Sequence, residues 1–144
     1  MTCLMKAAMS GHLEVVELLL TYGANPRITN PKGETALSLA ILEEKIGVCE
    51  RLLVAKSDPM QKDSTGRTLF HKATIKNQGL EILKILHRFG ADPNMPDQDF
   101  NTPLHYAAQK GVIELGQYLL SITTHAYSIN SEGLFPYEVV SEKK

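Results

Sequence analysis

The chain has 144 residues, the size of one ordinary domain. Its 43% hydrophobic and 22% charged residues can build a core and exclude a chain disordered by composition. Fifteen Lys and Arg stand against sixteen Asp and Glu, which excludes a strongly basic nucleic-acid module and a polybasic membrane anchor.

Along the chain, Thr2 precedes Leu4, Ala7 and Ala8 at helical spacing, and Gly11 interrupts them. Val15, Val16, Leu18, Leu19 and Leu20 follow as an apolar second helix. Tyr22-Gly23-Ala24-Asn25-Pro26 stops it, with Gly23 suited to a left-handed cap. The polar, Gly-bearing stretch 30–33 reads as a turn, and then the pattern restarts. Thr recurs at 35, 68 and 102, at gaps of 33, 33 and 34. Leu37, Phe70 and Leu104 repeat Leu4, and Ala40, Ala73 and Ala107 repeat Ala7. Val48, Ile82 and Leu115 repeat Val15, and Leu52, Leu86 and Leu119 repeat Leu19. The extra residue falls in a loop near 77–79 and leaves both apolar sets in phase. Stretches 63–66 and 130–133 read as further turns. A fifth unit starts at Gly133-Leu134-Phe135-Pro136 and breaks off, and Ser141-Glu142-Lys143-Lys144 gives it a polar finish. Each Thr suits a helix N-cap, and Pro103 stands at the favoured first helical position. Helices of roughly two turns are marginal alone, so they must bury their apolar faces against neighbouring units.

These residues resemble the ankyrin repeats. The best match is Asn101-Thr102-Pro103-Leu104-His105-Tyr106-Ala107-Ala108 through Gly111. Gly11-His12-Leu13-Glu14-Val15-Val16 with Leu19-Leu20, and Gly90-Ala91-Asp92-Pro93-Asn94, match as well. The resemblance implies an all-α solenoid, with repeats at about 1–30, 31–63, 64–97 and 98–130 and a partial capping repeat at 131–144. Some positions depart from the pattern. Cys3, Ala36 and Leu69 replace the Pro after Thr. Phe100 stands where a turn Gly is expected, which puts that turn in doubt. Lys56 and Thr123 replace the capping Gly, so those two helices should end differently, and 123–129 is the expected irregular segment. The first unit lacks its preceding turn, which suggests a fragment of a longer protein or an unusual start.

No catalytic or cofactor motif occurs, so no enzyme activity, cofactor or metal is expected. No apolar run reaches the roughly 18 residues of a membrane span, because Glu17 and Ser38 interrupt the longest two. The Met1 end shows no basic flank before an apolar stretch, so no signal peptide is expected. Cys3 and Cys49 make no disulfide framework, which points to the cytoplasm or nucleus. Cys49 is expected to be buried, and Cys3 to lie nearer an exposed edge. His71 and His105 suggest a metal or acid–base pair. They also sit one repeat apart at the same place, where the resemblance implies hydrogen bonds between adjacent turns. Asp97, Asp99 and Glu132 lack the spacing of a Ca²⁺ loop and read as turn carboxylates.

In the ankyrin family the turns are fingers and the first helices a palm, and partners meet their variable positions. Carried onto this chain, that surface comprises Lys32, Glu34, Thr65, Arg67, Asp99 and Asn101 on the fingers. On the palm it comprises Met9, Ser10, Leu42, Glu43, Ile75, Lys76, Gln109 and Lys110. Met9, Leu42 and Ile75 are apolar at a position the family leaves exposed, either as a contact stripe or as local packing. The expected function is that of a non-enzymatic monomer binding a protein partner, with no nucleic acid or membrane partner. The alternative is the regulatory or targeting segment of a larger protein.

Asn94 also matches the target pattern of an oxygen-sensing asparaginyl hydroxylase, with Leu86 eight residues and Asp92 two residues before it. Arg27, Met60 and Tyr127 stand there in the other units, and a structural turn Asn is the competing reading. Incubation with such a hydroxylase should add one oxygen to the peptide carrying Asn94; an unchanged mass leaves only the structural role.

Overall fold

A computed structural model describes residues 1–77 and 79–139. Among these residues there are eight helices and no strand. They come in pairs: α1 (Cys3–Ser10) with α2 (Leu13–Thr21), and α3 (Ala36–Leu42) with α4 (Ile46–Val54). Then follow α5 (Leu69–Ile75) with α6 (Leu80–Arg88), and α7 (Pro103–Lys110) with α8 (Ile113–Ile122). The first helices stack as one layer, α1 on α3, α3 on α5 and α5 on α7. The second helices stack as the other, α2 on α4, α4 on α6 and α6 on α8. This is the two-layer helical solenoid expected from the repeat.

The repeating apolar positions form one continuous core between the layers. Phe70, Leu37, Leu52, Leu83 and Leu86 are fully buried, as are Ala8, Ala40 and Ala73, where the small side chain lets helices approach. Cys49 is buried too, and burial pushes its thiol pKa up to about 12, so it is inert packing. Cys3 is exposed. Val15 breaks the register: it is 44% exposed, whereas Val48, Ile82 and Leu115 are buried. That column faces the preceding second helix, and among the described residues α2 has none.

The four Thr residues are extended and sit at the N-caps, as expected. Thr2 Oγ1 accepts from the Met5 amide at 3.1 Å, and Thr35 Oγ1 from the Ser38 amide at 3.3 Å. The residue three positions on returns the bond to the cap amide, through three different atoms in the four units. Met5 uses Sδ, Ser38 uses Oγ, and His71 and His105 use Nδ1. In the fifth unit Glu138 Oε2 does the same for the Phe135 amide, at the start of a single helical turn.

Two expectations are corrected. Lys56 does not end α4 differently: it takes a left-handed φ of 63° in place of Gly23 and Gly90. The Ser57 amide reaches the Leu52 carbonyl at 3.0 Å, as Ala24 reaches Leu19 and Ala91 reaches Leu86. The cap bonds hold the backbone there although a side chain in this region costs about 1–2 kcal/mol. The Lys56 carbonyl also accepts from Arg27 Nε at 3.0 Å. Phe100, in turn, keeps the standard turn at φ 60°. Its amide donates to the Asp97 carbonyl at 3.1 Å, matching Gly33, Gly66 and Gly133 in the other turns, while its ring lies largely in solvent.

Thr123 does end its helix differently, with an extended backbone at φ −89°, ψ 143°. Asn94 supplies the missing acceptor. Its Oδ1 takes the Thr123 hydroxyl, the Thr124 amide at 2.9 Å and the His125 amide at 3.2 Å. Segment 123–129 is irregular, as expected. The polar finish at Ser141, Glu142, Lys143 and Lys144, and Gln78 beside the extra residue, lie outside the described residues.

Leu86, 1% exposed in the middle of the stack, makes the register testable. Leu86→Ala should cost about 2–5 kcal/mol through the cavity it leaves. Because neighbour contacts carry solenoid stability, the two halves should also uncouple. An unchanged denaturation midpoint would refute this packing.

Candidate interaction surface

A short finger projects before α3, α5, α7 and the helical turn of the fifth unit, and the same polar device builds all four. The side-chain oxygen of Asn30, Asp63, Asp97 or Asn130 accepts from the amides two and four residues on, at 2.9–3.1 Å. Asp97 is thus the turn acceptor read from sequence. The amides held are those of Lys32 and Glu34, Thr65 and Arg67, and Asp99 and Asn101, so the expected finger residues sit at matching places on fixed backbone. Neighbouring fingers are joined as well. Gln61 Nε2 donates to the Gly33 carbonyl at 2.8 Å, and the Gln98 amide donates to the Thr65 carbonyl at 3.1 Å. The Ser131 amide reaches the Asp99 carbonyl at 2.8 Å.

Beneath the fingers, His71 and His105 are buried ties rather than a catalytic pair. His71 Nε2 lies 2.8 Å from the Asn101 carbonyl, and His105 Nε2 lies 3.2 Å from the Leu134 carbonyl. A carbonyl only accepts, so each Nε2 carries the proton and each Nδ1 receives the cap amide. Burial lowers both pKa values, since the charged ring would lose water.

Of the expected surface residues, Ser10, Lys32, Glu43, Thr65, Lys76, Asp99, Gln109 and Lys110 are exposed. Glu34, Arg67 and Asn101 are half-buried and already engaged. Glu34 takes a bond from Asn30 Nδ2 at 2.8 Å, and Asn101 Oδ1 takes one from Asn130 Nδ2 at 3.1 Å. Arg67 Nη2 donates to the Tyr106 hydroxyl at 3.1 Å, which donates to Asp97 Oδ2 at 2.6 Å. The guanidinium also lies over the Tyr106 ring at 5.3 Å. Burial opposes the Arg67 charge, but the Tyr106 bond and the Asp97 and Asp63 carboxylates outweigh it and raise its pKa. Burial and the bond to Asp97 raise the pKa of Tyr106. Asp63 Oδ2 pairs with Lys72 Nζ at 3.5 Å; burial pushes the Asp63 pKa up, yet Thr65, the Arg67 amide and Lys72 bring it below the ordinary value.

Met9, Leu42 and Ile75 are half-buried, not exposed as expected, and Met9 packs against the core. Each still shows part of its apolar surface at one register of three successive palms. Tyr106 and Lys72 were missed as surface residues. They stand four positions after the repeat Thr, with Lys6 and Leu39, a column whose changing side chains were the available signal. Arg67, Tyr106, Gln109, Asn130 and Glu132 line a polar hollow of about 270 Å³ between the last two fingers. Among the described residues no three His, Cys, Asp or Glu side chains gather as a metal site would, and no helix is long and apolar enough to cross a membrane.

A family model described as "Ankyrin repeats (3 copies)" matches residues 1–63 and 44–133. The ankyrin repeat and KH domain-containing protein mask-1 of Caenorhabditis elegans is 38% identical over 100 residues, 68% of this chain and 4% of the relative. A putative palmitoyltransferase, ZDHHC13, of Danio rerio is 29% identical over 128 residues, 88% of this chain and 20% of the relative. Protein phosphatase 1 regulatory subunit 27 of Mus musculus is 30% identical over 76 residues, 53% of this chain and 49% of the relative. The matched part is therefore less than half the length of each relative.

The two histidine ties generate a pH prediction. Their folded pKa values lie below the unfolded value of about 6.5, so the unfolded chain takes up protons first. Their contribution is complete above pH of about 6.5 and is lost as pH falls through the folded values. The urea midpoint should drop between pH 7.5 and 5.5, and a His71→Asn/His105→Asn variant should show a flatter profile. Equal slopes for both proteins would remove the histidines from this role.

Proposed function

The chain belongs to the ankyrin-repeat family, and from that premise we propose that it is a non-enzymatic protein-binding module that meets its partner through fingers and palm. The observation that carries this reading is the finger device, repeated four times. Each turn satisfies its own polar groups internally and leaves the side chains between them outward. A surface fixed in this way loses little conformational entropy when a partner docks. Half-exposed Met9, Leu42 and Ile75 supply apolar contact across three units, with Glu43, Lys76 and Gln109 beside them setting orientation.

A second reading rests on the relatives. Palmitoyltransferase and phosphatase regulatory subunit are the printed roles of proteins more than twice as long as the matched part. In a protein as long as the putative palmitoyltransferase, the same surface would dock or regulate another domain of the chain. The intact mass of the protein from its native source separates the two readings.

The partner surface is tested by replacing Met9, Leu42 and Ile75 with Ser together. Full burial of such a side chain contributes about 1.5–3 kcal/mol, of which roughly half is still to be gained here. Affinity for a partner identified by pull-down should fall about a hundredfold or more. Because the three are half-buried, stability should fall by about 1 kcal/mol per site without loss of the helical fold. Substitutions on the outer back, at Glu17 or Lys84, should leave binding unchanged. Normal binding by the triple variant removes the stripe from the interface, and an unfolded variant makes it core.

A further inference from the structure

Each Lys or Arg of the second helices has a carboxylate beside it. Arg51 pairs with Glu17 at 3.5 Å, Lys84 with Glu81 at 3.6 Å, and Arg88 with Glu50. Beneath the fingers, Lys72 and Arg67 are held likewise by Asp63 at 3.5 Å and Asp97 at 3.7 Å. The palm register eight positions after the repeat Thr differs. It carries Ser10, Glu43, Lys76 and Lys110, all exposed, and among the described residues none of its three charges forms an ion pair. One unit thus presents a negative charge and the next two a positive one. Beside this row run half-buried Met9, Leu42 and Ile75, with Gln109 at the fourth place. Both rows lie along the side of the stack, so their exposure does not depend on which unit begins or ends it.

Spacing decides what shape of ligand these rows fit. The first helices stack with Ala7, Ala40, Ala73 and Ala107 buried between them, and helices in such contact lie about 8–10 Å apart. A ligand lying along the stack must therefore offer one matching side chain about every 10 Å. An extended chain covers that distance in three residues of about 3.3 Å each, and its third side chain then points to the opposite face. In an α-helix, seven residues advance about 10.5 Å and complete just under two turns, so every seventh side chain returns to the same face. The repeat of the palm is the repeat of a helix, not of a strand.

We infer that the palm docks an amphipathic helix of a partner protein, laid along the stack, with aliphatic residues seven apart over Met9, Leu42 and Ile75, a basic residue facing Glu43, and carboxylates facing Lys76 and Lys110. This rests on the protein-binding reading above and gives its partner a chemistry. The aliphatic stripe supplies burial, and the order of charges, one positive and two negative, fixes which end of the helix lies over α7.

The test is a titration of the 144-residue chain, isotope-labelled for amide NMR, with designed stapled helices of about 24 residues. The heptad peptide carries Leu at every seventh position, flanked by one Arg and then two Glu, and is made in both chain directions. Its control has the same composition with Leu at every sixth position, which turns the stripe away from the palm. Saturable one-to-one binding below about 0.1 mM is expected for one direction of the heptad peptide, with shifts at the first helices. Lys76→Glu/Lys110→Glu should weaken it about tenfold or more, and a heptad peptide with Lys in place of both Glu should restore binding to that variant. Circular dichroism checks that the variant remains folded. Absence of saturable binding, equal binding of the control, or failure of the swapped peptide to rescue overturns the proposal. Equal or tighter binding of a DNA duplex of about 20 base pairs also overturns it, because the lysines then serve phosphates. So does binding that is lost in the protein purified from its native source, because the palm is then covered by the protein's own chain. If a pulled-down partner binds less well to the Met9, Leu42 and Ile75 triple Ser variant while the heptad peptide does not bind, the palm reading stands and this one falls.

Discussion

A helix of seven to ten residues forms too few hydrogen bonds to offset its own nucleation, and all eight helices described here are that short. Each persists only where its apolar face meets the next unit. The small alanines of the first helices and the aliphatic columns of the second are two halves of that requirement, one setting how closely helices approach and the other filling what remains. Among the described residues α2 and α8 each have a second helix on one side only, and the Val15 column of α2 is correspondingly more exposed than Val48, Ile82 and Leu115.

Polar bonds then place the fingers on this apolar stack. The Asn101 and Leu134 carbonyls each accept an amide of their own turn, and a neutral histidine of unit three or four adds a second bond to each across the unit boundary. The Met5 and Ser38 units have the inner half of that device without the outer half. Gln61, just before the next finger, bridges instead to the Gly33 carbonyl. The finger surface is therefore held from beneath by different side chains in different units, while the backbone it presents stays the same. That constancy is what the proposed binding role uses.

Among the described residues four that are not glycine, Glu44, Lys56, Asn77 and Phe100, hold left-handed backbones. At Glu44, Lys56 and Phe100 the amides on either side are committed to cap or turn bonds, so the backbone is imposed from outside the residue. Only at Thr123, where a β-branched side chain makes the left-handed region especially costly, does the chain abandon the cap. Asn94, from the preceding unit, then closes the helix end through Oδ1 while its Nδ2 donates to Asp92 at 2.9 Å. A cap lost in one repeat is thus replaced from its neighbour.

The sequence by itself determined the solenoid, because a period of 33 residues places Thr, Ala and the aliphatic columns in phase without reference to distance. It also located the fingers, since Asn or Asp followed by a turn encodes its own local bonds. It did not determine how Lys56 and Phe100 behave, because the strain at one residue is outweighed by bonds that neighbouring residues make. Nor did it separate exposed from half-buried at Met9, Leu42 and Ile75, or couple Arg67 through Tyr106 to Asp97, residues 30 and 39 positions apart in pair with Arg67. Burial and such pairings depend on how adjacent units lie against one another, and that is a property of the stack, not of any one repeat.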